Sequence, residues 1–583
     1  MIRSSWQQFR IRLAYPEAAL PLAVLGLLAG GFSASVIIAF REALQAVQAL
    51  YMPGADGEGF EQLDRLWHLG LPLGGALLLG LLMSLVPAHW RGTGVVHVIS
   101  CLHREPSRLP WQNAIVQFFG ALIGLATGQS GGREGPAVHL GATGSSALGQ
   151  WAGFPHNSLR VLAACGAAGA IAASFNTPIA AVIFAMEVIM MEYTVAGFLP
   201  VLLSAVTATA INQLWFDDTL IADTTGLYLT SLGELPLVAL LGLLIGCCSA
   251  AFVSVQSQCL KYQDKPLVLR FGAAGLITGA CALWLPAVLG TGHDTLTQIM
   301  SHSPGWLFLL ALLAAKLVAT AVTCGVGMPI GVIGPAFLLG AMAGSAFAQV
   351  HAEIMPGAGV DPQLYALLGM GAMMGALLNA PLAALLALLE LSGNTAIVFP
   401  AMLAVVVAQL THRELFRQES SPATSLSRLD KPLRTDPVSR LLMSTSVLSS
   451  MNRDVVSSTV DIDTDQLQNL IESPKQWLVV EEEDGTLFAL EKAAHQETLE
   501  TLSGEADALG RVSLRPLIEE QEAPKRLSLQ SSLLSALDAM QRSNQSRVII
   551  AGFMGQGPFP DIGIITLADI EARYRGTTPE KHT

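Results

Sequence analysis

The chain has 583 residues, of which 52% are hydrophobic and only 13% charged, with a mean hydropathy of +0.51. Those values describe a polytopic membrane protein. The formal charge of −13 misleads when read over the whole length, because more than half of the acidic residues lie after position 429, in a segment of soluble composition. The acidity therefore belongs to a cytosolic-type appendage, and the basic face that nucleic acid requires is missing.

Residues 1–12 are basic and amphipathic, with Arg3, Arg10 and Arg12, and the apolar run that follows is far too long for a signal-peptide core. Residues 18–40 and 71–86 are the first two long apolar stretches. The acidic, glycine-containing residues 54–65 separate them, and Arg91, Arg104 and Arg108 follow the second. By the positive-inside rule the N-terminus is cytoplasmic and the first loop faces away. Further apolar segments fall near 113–127, 137–150, 159–173, 178–190, 195–212, 234–254, 269–288, 306–324, 334–349, 364–378, 381–391 and 395–411. Many are shorter than the ~20 residues that cross a bilayer. Glycine or proline interrupts several, as where backbone lines a polar cavity. The cysteines (Cys101, Cys165, Cys247, Cys248, Cys259, Cys281 and Cys324) lie in or beside these segments without metal-ligand spacing and read as small buried hydrophobes.

One carboxylate stands out in this apolar setting. Gly131-Gly132-Arg133-Glu134-Gly135-Pro136 places Glu134 between two apolar segments, where a charge costs several kcal/mol unless it faces a cavity or a partner. The glycines permit close backbone approach, and the proline suits the first turn of a following helix, whose N-terminus is an anion site. Two more glycine-rich loops share this character: Gly92-Thr93-Gly94-Val95-Val96 and Gly331-Val332-Ile333-Gly334-Pro335. Backbone amides and one hydroxyl can replace an anion's hydration shell while still allowing it to leave.

The second half of the membrane region repeats the first. Residues 166–188 read GAAGAIAASFNTPIAAVIFAMEV and residues 369–391 read GMGAMMGALLNAPLAALLALLEL. Asn176/Asn379, Pro178/Pro381 and Glu187/Glu390 match at a shift of 203, and Gly132/Gly331 and Pro136/Pro335 at 199. An internal duplication whose halves meet at a central site explains both offsets. Repeat-related positions for Glu187 and Glu390 point to a shared structural role, such as capping a neighbouring helix. Arg133 is expected to order its own loop.

These residues identify the resemblance. GTGVV, GREGP and GVIGP stand in order, and Phe175-Asn176-Thr177-Pro178 leads to Glu187, as in the CLC family of chloride channels and chloride/proton exchangers. The resemblance spans roughly residues 15–417. It implies an all-α polytopic membrane domain over 1–417, built of two inverted repeats of short, broken, tilted helices (halves about 15–215 and 230–417), in a homodimer with one pore per subunit. It further implies Glu134 as the gating carboxylate, Thr93 as the hydroxyl at the central anion, and a binding shell of Gly94, Gly132, Arg133, Gly135, Gly331, Val332, Ile333 and Gly334. Thr93 keeps the hydroxyl of chloride-handling members, and Ile333 replaces the usual phenylalanine. The inner proton-carrying glutamate of coupled members corresponds to Val188, which cannot hold a proton. Phe416 is aligned with a pore-facing tyrosine, without its hydroxyl.

After a polar linker over 418–440, residues 441–583 alternate helical and strand patterns and resemble a cytosolic α/β pair of CBS modules. Thr566 and Asp569 match positions that contact phosphate and ribose in nucleotide-binding members. The first copy, about 445–515, is degenerate, and its Glu481-Glu482-Glu483-Asp484 turn reads as a solvated hairpin tip. Adenine-nucleotide regulation and a purely structural dimerisation role are equally open. The resemblance thus implies a chloride channel gated by Glu134, with chloride as its ligand and no required cofactor or metal. It would sit in the bilayer of a bacterial inner membrane with both termini cytoplasmic. The rivals are a chloride/proton exchanger with an unconventional proton path and a non-conducting membrane nucleotide sensor. No Ser/His/Asp order, HExxH or P-loop marks an enzyme.

Overall fold

A computed structural model describes residues 9–10, 13, 19–52, 59–103, 107–216, 226–355, 360–427, 436–502, 510–519, 521–552 and 562–575. Arg3, Arg12, Arg104, part of the acidic first loop, residues 428–435 of the expected linker and Asp561 lie outside these residues. Eight described helices are long and apolar enough to cross a membrane, and five apolar helices of 10–17 residues accompany them.

The first half contains α1 (Ala19–Ala49), α2 (Arg65–Leu85), α3 (Gly94–Leu102), α4 (Trp111–Ala126), α5 (Glu134–Trp151), α6 (His156–Phe175), α7 (Pro178–Phe184) and α8 (Val195–Trp215). The second contains α9 (Leu235–Leu260), α10 (Leu267–Ala282), α11 (His293–His302), α12 (Trp306–Gly325), α13 (Ile333–Ile354), α14 (Pro362–Leu378), α15 (Pro381–Ser392) and α16 (Val398–Leu410). Apolar periodicity locates most of them within a few residues. It misses α3 and α11, which are short and carry His97, or His293 and Asp294, among their apolar positions. Helix α6 is buried over 94% of its span, so it is a core element of the domain and faces little lipid.

The repeat becomes visible as reciprocal contacts. Glu187 accepts hydrogen bonds from the N–H groups of Leu382 (3.3 Å) and Ala383 (2.9 Å) at the start of α15. Glu390 accepts from Ile179 and Ala180, both at 2.8 Å, at the start of α7. Each half thus supplies the carboxylate that satisfies the orphan donors and the positive dipole end of the other half's helix. The helix-capping role expected for this pair is what the structure shows. Gly141 packs on the Gly166 carbonyl and Gly340 on the Gly369 carbonyl, where any Cβ would overlap backbone. Asn176 and Asn379 both end their helices at left-handed φ (58° and 54°), and each accepts a hydrogen bond from a glutamine, Gln213 or Gln409. Equivalent residues that exchange equivalent contacts are related by a two-fold axis.

Beyond α17 (Ser421–Leu426) and α18 (Pro437–Ser444), the C-terminal unit is α/β. Strands β1 (Val455–Thr459), β3 (Trp477–Glu481) and β4 (Leu487–Glu491) form one sheet in the order β1-β3-β4. Strands β6 (Arg526–Leu527), β7 (Arg547–Ala551) and β8 (Ile562–Thr566) form another in the order β6-β7-β8. In each the first pair is parallel and the second antiparallel. Between β1 and β3 lie β2 (Asp461–Asp463) and α19 (Thr464–Glu472), and β2 pairs with β5 (Arg511–Ser513). Trp477, Val479, Ile549 and Ile564 pack where the two sheets meet, an arrangement consistent with a CBS pair. The acidic turn closes the β3–β4 hairpin with Glu483 and Asp484 exposed, and the Thr486 N–H holds the Asp484 carboxyl below its usual range.

Gln530 joins the unit to the membrane domain. The Gln530 carbonyl accepts from the His156 N–H (2.9 Å), its side-chain amide donates to the Gly153 carbonyl (2.7 Å), and Arg108 donates to its Oε1 (3.3 Å). Arg440 donates to the Met191 carbonyl at 2.8 Å.

The reciprocal caps generate a prediction. Glu390→Ala leaves two backbone donors without their charged acceptor and should cost about 2 kcal/mol of stability. In detergent its thermal midpoint should fall, while anion selectivity in liposomes stays as in the parent. A change of selectivity at unchanged midpoint would contradict a capping role.

Candidate functional site

The site is built where α5 and α13 begin. Gly132 and Gly331 form an antiparallel bridge, each donating its N–H to the other's carbonyl at 2.7 Å. Helix N-termini of the two halves are thereby set face to face. Nothing larger than glycine fits: a Cβ on Gly135 would stand 2.6 Å from the Gly331 Cα, and one on Gly132 would overlap the Glu134 carboxylate.

Glu134 is the first residue of α5 and its side chain is fully buried. Its Oε2 accepts from the Gly334 N–H of the opposing helix at 3.2 Å, and Arg133 Nε stands 4.0 Å from its Oε1. The carboxylate thus lies over the positive end of α13, where the first-turn amides have no acceptor within their own helix. Burying a charge in this way is tolerable because the dipole and the amide replace water.

A cavity of about 600 Å³ approaches this point from the side on which the C-terminal unit docks. Thr93, Gly94, Gly135, Gly331 and Val332 line its deep end, and Arg91, Arg108 and Arg270 also contribute to its wall. Thr93 precedes the first residue of α3 in extended conformation, its side chain makes no capping bond there, and the residue lines the cavity. A second void of about 10 Å³ touches Glu134 and Gly334 together with Phe175, Thr291, His293 and Phe337. Glu134 borders this void while Gly135 lines the cavity, so the carboxylate stands between the wide cavity and the small void.

The structure places four of the residues expected at the anion as follows. The Gly94 N–H is spent on Gln117 Oε1 at 2.6 Å, and those of Gly132 and Gly331 on each other. These three glycines shape the site without offering that donor to an ion. Phe416 is 45% exposed and does not line the cavity. The chain turns back after Phe416, and Ser421, Pro422 and Ser425 of α17 occupy that wall instead. Ile333 begins α13 beside Gly334, and Arg133 stays with its own loop. Val188 is 5% exposed within a π-helical turn, Ala185–Met190, and is absent from the cavity wall. Thr566 and Asp569 engage each other: the Asp569 carboxylate accepts from the Thr566 N–H and hydroxyl at 2.8 and 2.7 Å, capping α23 (Leu567–Arg575).

Sequence reasoning passed over Gln117. Its amide donates to the Pro329 carbonyl at 2.7 Å while its carbonyl holds Gly94, so one buried side chain ties the Thr93 loop to the Gly331 loop. Asn113, one turn earlier, holds the Gly92 carbonyl at 2.9 Å. The signal was two amides at i and i+4 in an otherwise apolar helix, followed by Gly120 and Gly124 on the same face. The cavity-lining His97 was also missed. Its Nδ1 lies 2.9 Å from Nε2 of the fully buried His139 of α5. Among the described residues no group of three or more His, Cys, Asp or Glu could hold a metal ion.

Comparison with known proteins agrees with this geometry. Residues 74–413 match the family model described as voltage gated chloride channel. A ClcB-like protein of Ralstonia nicotianae is 31% identical over 402 residues, covering 67% of this chain and 93% of the relative. An H(+)/Cl(−) exchange transporter, ClcA of Vibrio campbellii, is 27% identical over 59% of this chain and 77% of its own. In fold, the chain is similar to a slow cyanobacterial Cl−/H+ antiporter (TM-score 0.61, 21% identity, 70% of this chain and 99% of that one). It is also similar to a eukaryotic CLC transporter (TM-score 0.57, 17% identity), a likeness that covers 94% of this chain and 97% of that one and so includes the C-terminal unit. With its membrane region matched by the family model and by a relative across nearly the relative's whole length, the chain belongs to the CLC family of membrane transport proteins.

Proposed function

We propose that the protein conducts chloride passively through a pore in each subunit of a homodimer, and that Glu134 is the gate. The observation that carries this reading is the fully buried Glu134 carboxylate on the Gly334 amide, at the N-terminus of the helix facing it across the end of the cavity. Arg91, Arg108 and Arg270 raise the local concentration of anions in the cavity. A chloride that reaches its deep end exchanges water for the Thr93 hydroxyl and for the positive end of α13. To pass further it must take the place of the Glu134 carboxylate, which is an anion held by the same helix end. Displacement by chloride or protonation of Glu134 releases that hold.

Passive conduction is supported by what surrounds position 188. Val188 has no proton to carry, and the nearby carboxylate of Glu187 is committed to the start of α15. One observation favours the exchanger reading. The His97–His139 pair runs from the cavity wall into α5, the helix that Glu134 begins, and so places imidazole nitrogens between the cavity and that helix. In the proposed setting, a bacterial inner membrane with cytoplasmic termini, the C-terminal unit serves as a regulatory or dimerising module. The Thr566–Asp569 pair would have to give up its mutual bonds to hold a nucleotide there.

Two measurements test this. In proteoliposomes carrying a chloride gradient, chloride efflux should need only a potassium shunt, with no proton uptake against its gradient. Uphill proton movement would overturn the channel reading, and its loss in His139→Gln would then assign the path to the histidine pair. Protonation neutralises the carboxylate that competes for the Gly334 amide, so flux should rise as pH falls. Glu134→Gln removes that competition, a charge-assisted bond of about 1.5–3 kcal/mol. It should raise flux at neutral pH roughly tenfold or more and flatten the pH dependence. A Glu134→Gln protein as pH-sensitive as the parent would refute Glu134 as the gate.

A further inference from the structure

His97 and Cys101 stand four residues apart on α3, beyond Thr93 at its start, and all three residues line the cavity. Residues so spaced share one face of a helix. The Nε2 of His97 lies 3.4 Å from the Sγ of Cys101. Zinc holds imidazole nitrogen at about 2.0–2.1 Å and thiolate sulfur at about 2.3 Å in tetrahedral geometry, which sets the two ligand atoms about 3.5 Å apart. The pair already stands at the separation that such an ion imposes.

The ring of His97 is also held from its far side. Its Nδ1 is engaged with His139 Nε2, and in the tautomer that donates from Nδ1 the Nε2 lone pair is the one left on the Cys101 side. Metal-bound histidines are usually fixed by a second hydrogen bond of this kind from the other ring nitrogen. His139 is fully buried and belongs to α5, so the ligand ring is braced against the helix that carries the gate.

We infer that His97 and Cys101 form a two-point site for a thiophilic divalent cation of the zinc class, in the wall of the anion pathway one to two helical turns from Thr93. The chain supplies two ligands, so water or the permeating chloride fills the remaining positions. On binding, the Cys101 thiol gives its proton to cavity water and the thiolate bonds the metal, while His97 binds as neutral imidazole. No electron changes hands. The bound ion narrows the cavity and fixes chloride beside it instead of letting it pass. The block rests on the transport reading above, whereas the site itself does not.

The test uses the full-length protein and cadmium or zinc alone. In detergent, cadmium should produce a cadmium–thiolate absorption band, which Cys101→Ser abolishes and Cys324→Ala, altering the other cysteine of the cavity, retains. In liposomes, either metal on the cavity side should reduce chloride flux severalfold. His97→Gln and Cys101→Ser should each raise the half-blocking concentration tenfold or more. His139→Gln, which removes the brace, should raise it by roughly tenfold. Monodisperse elution of each variant confirms folding. A band that survives Cys101→Ser, or no band at saturating cadmium, overturns the site. A band without block overturns its effect on transport. Should the parent protein move no chloride, the transport reading falls and the absorption band still decides the site.

Discussion

The pair of hydrogen bonds between Gly132 and Gly331 is the constraint on which the rest of the membrane domain depends. It is short and has no side chains, yet it fixes where two helix N-termini meet. Because each glycine both donates and accepts, the contact is two-fold by construction, and the halves that diverge from it are opposed in direction. The close approaches beyond it then follow. Gly141 on Gly166 and Gly340 on Gly369 bring α5 against α6 and α13 against α14 with backbone nearly in contact. Within a bilayer the hydrophobic effect does not drive helices together, so contacts of this kind hold the domain.

A bilayer also dictates how polar groups are spent. A helix end inside the protein has orphan donors that water cannot reach, and each must find an acceptor. Glu187 and Glu390 answer this for α15 and α7, each reaching across to the other half. Gln117 and Asn113 hold the irregular backbone around Thr93. These groups are satisfied and static. Glu134 stands apart, because in the proposed function its hold on the Gly334 amide is the one that another anion takes over.

Much of this was legible in the sequence, and the gaps have physical causes. The glycine-rich loops and the two repeat offsets place α5, α13 and the caps, because glycine and proline at a strained junction tolerate few substitutes. The spacing of Glu187 and Glu390 even foretold their function. Donor direction was not legible: Gly94, Gly132 and Gly331 sit at the site, yet their N–H groups point to protein acceptors, and only coordinates reveal which way an amide faces. The setting of Phe416 was not legible either: a π-helical turn over Thr411–Leu415 comes just before it, and no apolar period reveals such a change of phase. Helices α3 and α11 escaped because at nine and ten residues they are too short for an apolar period to dominate.

The symmetry is broken where function requires it. The two-fold that relates Gly132 to Gly331 relates Glu134 to Ile333, so one half carries a carboxylate where the other carries a branched alkyl chain. Two carboxylates there would each occupy the opposite helix end within one small apolar region. Their repulsion would favour a shared proton over two charges. The site would then be closed by a stable, proton-sharing pair, and chloride would have to displace both. With Ile333 in the second position the repulsion is absent, and one helix end is left for a single exchangeable charge. Duplication thus supplies the facing helix ends, and in the proposed function the difference between two repeat-related residues turns a symmetric scaffold into a site with one gate.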